Sequence, residues 1–299
     1  MTVVDEDVDE EADEQRARAA LRRVWPDPAG VGAVQLRALG GGFNARSYLA
    51  VGGGRRHVLR LPVAGSMAWL DLATEARAMR AAAEADLAPA VIAVDVEAGL
   101  LLTDYRMMLW TPGLVQQSTS IALIARLLRD LHRLPVDLPV YSIDHFTSTY
   151  LAALAKTPTH VPSAEEKSWA GELTQLGRDF DTSYAPTAFC HNDLVAANIL
   201  IDGAAARLID FEYAGRGTPL LDLASLAAMN DFAETQKRQL LSEYYGTAAA
   251  APTLRDLDNA VRMVRLLAYF WGRVAEQRLT EAHAHSELAA SIGATLRQG

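Results

Sequence analysis

The sequence predicts an α+β chain: an N-terminal five-stranded antiparallel sheet carrying one helix, then a mainly helical C-terminal part. Three observations predict it. Up to about residue 105, short β-like runs alternate with glycine turns, the pattern of antiparallel hairpins. From about residue 106, apolar residues recur at helical spacing. Among the later helices, a pair of short strands carries His191, Asp193, Asn198 and Asp210 in apolar surroundings. Polar groups so placed raise the free energy unless they are paired or used.

The 299 residues suffice for two domains, and 50% hydrophobic with 22% charged residues is ordinary globular composition. No apolar run reaches the roughly 18 to 20 residues of a membrane span. An acidic N-terminus is the wrong charge for a signal or transit peptide. Cys190 is the one cysteine, which excludes an intrachain disulfide and fits a cytoplasmic protein. The net charge of −9 is concentrated, because eight acids and no base fall between Asp5 and Glu14. Residues 1–15 are therefore expected to form a disordered acidic tail. The body is near neutral, which argues against nucleic-acid binding. The expected division is 16–105 and 106–299.

In chain order, residues 15–25 read as a short helix closed by Pro26 and Pro28. "AVQLRAL", "ARSYLAV" and "HVLRL" read as three strands, separated by the turns at Gly40–Gly42 and at "GGGRR" and stopped by Pro62. "LDLATEARAMRAAAEADLAP" is rich in helix formers. "PAVIAVDVEAGLLLTDY" supplies two more strands around a turn at 97–99. Further on, "SIALIARLLRDLHRL", residues 163–181, "LLDLASLAAMN" and stretches near 233–245, 253–278 and 280–297 read as helices.

"FCHNDLVAANILID" reads as strand, polar loop and strand, with "RLIDFEY" as its hairpin partner across "DGAAAR". The hairpin sets Asp210 near Asn198 and Asp193. Converging carboxylate and amide oxygens suit a hard divalent cation such as Mg²⁺. Asp193 precedes Asn198 by five, the spacing of a kinase catalytic loop, in which the Asp accepts a hydroxyl proton and the Asn holds metal. "LGGGFNA" offers a glycine turn that lets backbone N–H groups approach phosphates. Arg60 takes the third-strand cation position, with Glu75 of the next helix as its partner. Strand alternation sends Glu212 to the side of Asp210 and Tyr213 to the other.

Through "LGGGFNARSYLA", "HVLRLP", "CHNDLVAANILID" and "LIDFEYAGRGTPLLDLASLA", the chain resembles the choline kinase and aminoglycoside phosphotransferase superfamily, most closely its choline/ethanolamine-kinase-like members, from about residue 35 to 278. The resemblance implies a bilobal protein-kinase-like fold and an enzyme using ATP and Mg²⁺ to phosphorylate the hydroxyl of a small molecule. It implies Asp193 as base or hydroxyl-orienting group, His191 as a brace of its loop, and Asn198 and Asp210 as metal ligands. Arg60 would contact ATP phosphates, Gly41, Gly42 and Asn44 would line the phosphate turn, and Thr103, Asp104, Tyr105 and Arg106 would form the adenine hinge. Glu212, Tyr213 and Trp271 would face the acceptor, with an amino alcohol as leading candidate. Eukaryotic choline kinases carry Gln where this chain has Val195, and a second late tryptophan where it has Val274; both changes bear on the acceptor. The alternatives are an antibiotic, sugar or thiamine phosphotransferase, or a silent nucleotide-binding module. Cys190 is expected in the core, Asp222 as a brace of the loop, and His283 and His285, on different helix faces, not as a metal pair.

Overall fold

The structure is a computed structural model that describes residues 6–41, 45–63, 71–106, 112–202, 204–248, 251–278 and 282–298. Its elements in chain order are α1 (Glu6–Val24), β1 (Gln35–Gly41), β2 (Ala45–Gly52), β3 (Arg55–Pro62), α2 (Leu72–Glu84), β4 (Val91–Asp95), β5 (Leu100–Asp104), α3 (Pro112–Val115), α4 (Ser118–His132), α5 (Ile143–Ala155), α6 (Ala164–Ser183), β6 (Ala188–Cys190), β7 (Ile199–Ile201), β8 (Ala206–Leu208), β9 (Gly215–Gly217), α7 (Pro219–Met229), α8 (Glu234–Tyr245), α9 (Leu254–Arg278) and α10 (Ala282–Leu296).

The N-terminal strands form one antiparallel sheet in the order β1-β2-β3-β5-β4, with α2 inserted after β3 as the sequence predicts. Its two faces are covered differently. Ala17, Leu21 and Val24 of α1, one turn apart, pack with Trp25 against Tyr48, Ala50, Leu59, Leu61, Leu100 and Leu102. The opposite face carries Leu101, which joins Ala78, Met79 and Ala82 of α2 in the larger core shared with the C-terminal helices. Residues 100–103 are buried on both faces, so this strand reads as a continuous apolar run. Alternation along β3 aims Leu59 and Leu61 at α1 and leaves Arg60 pointing toward α2.

Two expectations change here. The acidic run is not a tail to residue 15, because the backbone is helical from Glu6. Arg22 and Arg23 in the last turn complement the helix dipole. The strand expected through "RLIDFEY" ends at Leu208, and Asp210 has φ +64.

In the C-terminal part, α7 is buried over Leu220–Ala228, so it lacks a polar face and sits inside the bundle. A capping box of Ser163 and Glu166 starts α6. Tyr269 of α9 donates to Glu166 at 2.9 Å, and Arg262 to Glu172 at 2.9 Å, tying α9 to α6. Gly272 lets α10 lie close against α9, since a Cβ there would sit 3.3 Å from that of Ala289. The β7–β8 hairpin is fastened to the N-terminal part: Leu208 N–H donates to Leu87 O at 2.8 Å, and Arg207 pairs with Asp86 at 2.6 Å.

Candidate active site

Between the sheet and the helices lies a cavity of about 370 Å³. Arg60, Asp193, Asn198, Asp210, Glu212, Tyr213 and Trp271 all line it.

The loop after β6 is built around the buried carboxylate of Asp222. It accepts the His191 N–H at 2.9 Å and the Asn192 N–H at 2.7 Å, and His132 Nε2 donates to it at 2.9 Å. These bonds turn the chain through Asn192, whose φ is +65, a conformation that Asn tolerates. The Asn192 amide donates to Tyr213 O at 3.0 Å, fastening this loop to the one after β8. His191 is fully buried; its Nδ1 accepts the Asp193 N–H at 3.3 Å, so Nε2 carries the proton and donates to Ile209 O at 3.0 Å. Its ring nitrogens are both engaged in bracing.

Asn198 closes the loop. Its Nδ2 donates to Asp193 Oδ2 at 2.8 Å and to Asp193 O at 3.0 Å, which orients the carboxylate and leaves Asn198 Oδ1 as the acceptor end. Burial first, and then the charge of Asp210, push the Asp193 carboxyl up to about 7, against the pull of the Asn198 hydrogen bond. Arg60 bridges two carboxylates, one nitrogen on Glu75 of α2 and another on Asp210. Burial works against its charge, but Glu75, Asp210 and Glu212 together raise its pKa and keep it a guanidinium. With its amide nitrogen on Asp193, Asn198 has its Oδ1 left, and together with the Asp210 carboxylate this is the oxygen donor chemistry that Mg²⁺ takes.

The residues after Asp210 lie otherwise than strand alternation predicts. With β8 ended and Asp210 left-handed, both Glu212 and Tyr213 reach the cavity. Trp271 is half-buried on its wall and donates from Nε1 to the Tyr213 hydroxyl at 2.8 Å, while Val274 lies in the core. Tyr150 of α5 hydrogen-bonds Tyr213, and Phe146 stacks on Tyr141 at 4.5 Å. Burial raises the pKa of Tyr141, Tyr150 and Tyr213, so all three stay neutral. Tyr141 and Tyr150 line the cavity and come from a segment in which the sequence marked no individual element.

The hinge residues are placed less simply. Thr103, Asp104, Tyr105 and Arg106 are not among the lining residues. The Asp104 N–H donates to Ala90 O at 2.8 Å and the Tyr105 N–H to Arg56 O at 3.1 Å. Gly41 ends β1 beside a register shift, and Gly42 and Asn44 lie outside the described residues. Cys190 is buried as expected. It sits with His132 and Asp222 within 4.8 Å, but Asp222 and both His132 nitrogens already have partners, so these three brace the loop.

The family model described as the phosphotransferase enzyme family matches residues 35–259. The chain is similar to thiamine kinase of Salmonella paratyphi B, 32% identical over 126 residues that cover 39% of this chain and 44% of that protein. It thus spans under half the length of this curated relative. Among solved structures, it is similar to a choline/ethanolamine kinase family protein from Mesorhizobium loti (25% identity, 94% of each chain, TM-score 0.75). It is also similar to a choline kinase from Streptococcus pneumoniae (18% identity, 96% of this chain and 100% of the other, TM-score 0.77).

Proposed function

The chain belongs to the phosphotransferase enzyme family, and from that premise we propose that it transfers the γ-phosphoryl group of ATP to the hydroxyl of a small cationic alcohol, with an amino alcohol such as choline or ethanolamine first. One observation carries the proposal: a single cavity presents Asp193, Asn198, Asp210 and Arg60 together with Glu212, Tyr213 and Trp271. The first set suits phosphoryl transfer. The second joins an acid to aromatic faces, which attract organic cations.

In this scheme, Asp193 orients the acceptor hydroxyl and takes its proton; a carboxyl held near 7 is matched to such a task. Arg60, fixed by Glu75, holds phosphate oxygens, and Gly41, Gly42 and Asn44 line the phosphate turn. The hinge Thr103–Arg106 receives adenine through groups other than the Asp104 and Tyr105 amides, which are engaged in the sheet. Asn198 and Asp210 hold Mg²⁺, which when bound supplies charge neutralisation at the phosphates. Residues 16–105 then serve the nucleotide, and 106–299 the metal and acceptor. No described helix is long and apolar enough to cross a membrane; a cytoplasmic place, without nucleic-acid or membrane partners, completes the proposal.

The partial identity to a thiamine kinase favours a second acceptor of the same chemistry, a heteroaromatic cation with a primary hydroxyl. A screen of ADP release over ethanolamine, choline, thiamine, sugars and aminoglycosides, with product masses, tests both. Turnover of a cationic alcohol supports the proposal, whereas turnover of sugars or aminoglycosides alone overturns it.

A further inference from the structure

Resting on that reading, we infer that the acceptor carries an apolar ring or chain beside its cationic centre, received by a helical wall of the same cavity. Val264, Leu267, Ala268 and Trp271 stand at i, i+3, i+4 and i+7 on α9, so they form one stripe, and all four line the cavity. Met229, at the end of α7, and Leu288, on α10, line it too. Among the described lining residues, α9 and α10 bring one polar group, the indole N–H, and that already donates to Tyr213. Ser225 of α7 accepts the Leu194 N–H on its hydroxyl oxygen at 3.0 Å.

The cavity is therefore two-sided. Its charged and hydrogen-bonding groups come from β2, β3, Tyr141, α5, the loop after β6 and the loop after β8, whereas α9 and α10 contribute carbon apart from the indole N–H, with Met229 of α7 beside them. A polyol or aminoglycoside set against that wall would lose water from its hydroxyls and amines without gaining partners, which is unfavourable. Ethanolamine would leave the wall wet. An acceptor with one cationic centre, one hydroxyl and an apolar body satisfies both sides, and an apolar group entering such a pocket gains about 10-fold or more in specificity.

The test compares ethanolamine, choline, and choline with one N-methyl exchanged for benzyl, as kcat/KM with ATP and Mg²⁺ on the full chain. Calorimetry with benzyltrimethylammonium and tetramethylammonium, which lack the hydroxyl, reads binding without turnover. The benzyl compounds are expected to win by about 10-fold in both assays. Leu267→Ala and the half-buried Met229→Ser should each shrink the benzyl-to-choline ratio with the KM for ATP unmoved, thermal melting confirming the fold. A ratio at or below one, or a ratio that neither variant moves, overturns the inference and leaves the proposed function standing if choline is turned over. If no cationic alcohol is bound or turned over, the proposed function falls and this inference with it.

Discussion

Arg60 holds together the two halves of the site, since one guanidinium faces both Glu75 and Asp210. Arg60→Ala leaves two carboxylates facing each other, one of them 3% exposed. Breaking a buried pair costs about 3–5 kcal/mol, so denaturant unfolding should show a loss of that order. The KM for ATP should rise more than that for the acceptor; an unchanged KM and kcat would remove Arg60 from the phosphate site. Asp210→Asn keeps shape while removing charge at the proposed metal ligand. Steady-state assays should show kcat falling by at least about 10²-fold while circular dichroism shows the fold retained, and near wild-type turnover would end the metal assignment. The nearness of Asp193, Asn198 and Asp210 was legible because a hairpin and a five-residue spacing leave few other arrangements. The orientation of Tyr213 was not, because one residue with φ +64 breaks the alternation on which that expectation rested.

At the scale of elements, the N-terminal sheet was legible strand by strand. Glycine and proline punctuate it at 40–42, 52–54, 62 and 99, and β5 announces its burial by an unbroken apolar run. The helix α5 was not singled out, since Phe146 and Tyr150 gain meaning only when Tyr213 and Trp271 arrive from elements distant in sequence. Trp271 links α9 to this cluster through the Tyr213 hydroxyl. Trp271→Ala removes a ring face and a hydrogen bond at the proposed acceptor site. A face over an organic cation is worth about 0.5–2 kcal/mol, so the acceptor KM should rise about 2- to 30-fold, with the KM for ATP unchanged. Equal shifts in both constants would mean that α9 moves as a body and that Trp271 is structural.

For the molecule as a whole, Asp222 is the buried charge on which several elements meet: His132 from α4, the His191 and Asn192 amides after β6, and its own α7. Burial pushes its carboxyl up, but the His132 hydrogen bond and charge, with the His191 backbone N–H, hold it below the ordinary value of 3.8. A carboxyl held lower in the folded chain than in the unfolded one leaves the unfolded state binding more protons between the two values. Its stabilisation is therefore complete above about pH 4 and is lost as pH falls from 3.8 through the folded value. Asp222→Asn must turn an amide N–H toward one of these donors, so at pH 7 it should be less stable by about 3 kcal/mol. Below pH 4 the gap between the two proteins should narrow, because the wild-type carboxyl is also being neutralised. Urea unfolding followed by circular dichroism from pH 7 to pH 3 measures that gap directly. A gap that stays constant across the range would show that the ionised form of Asp222 does not hold these elements together.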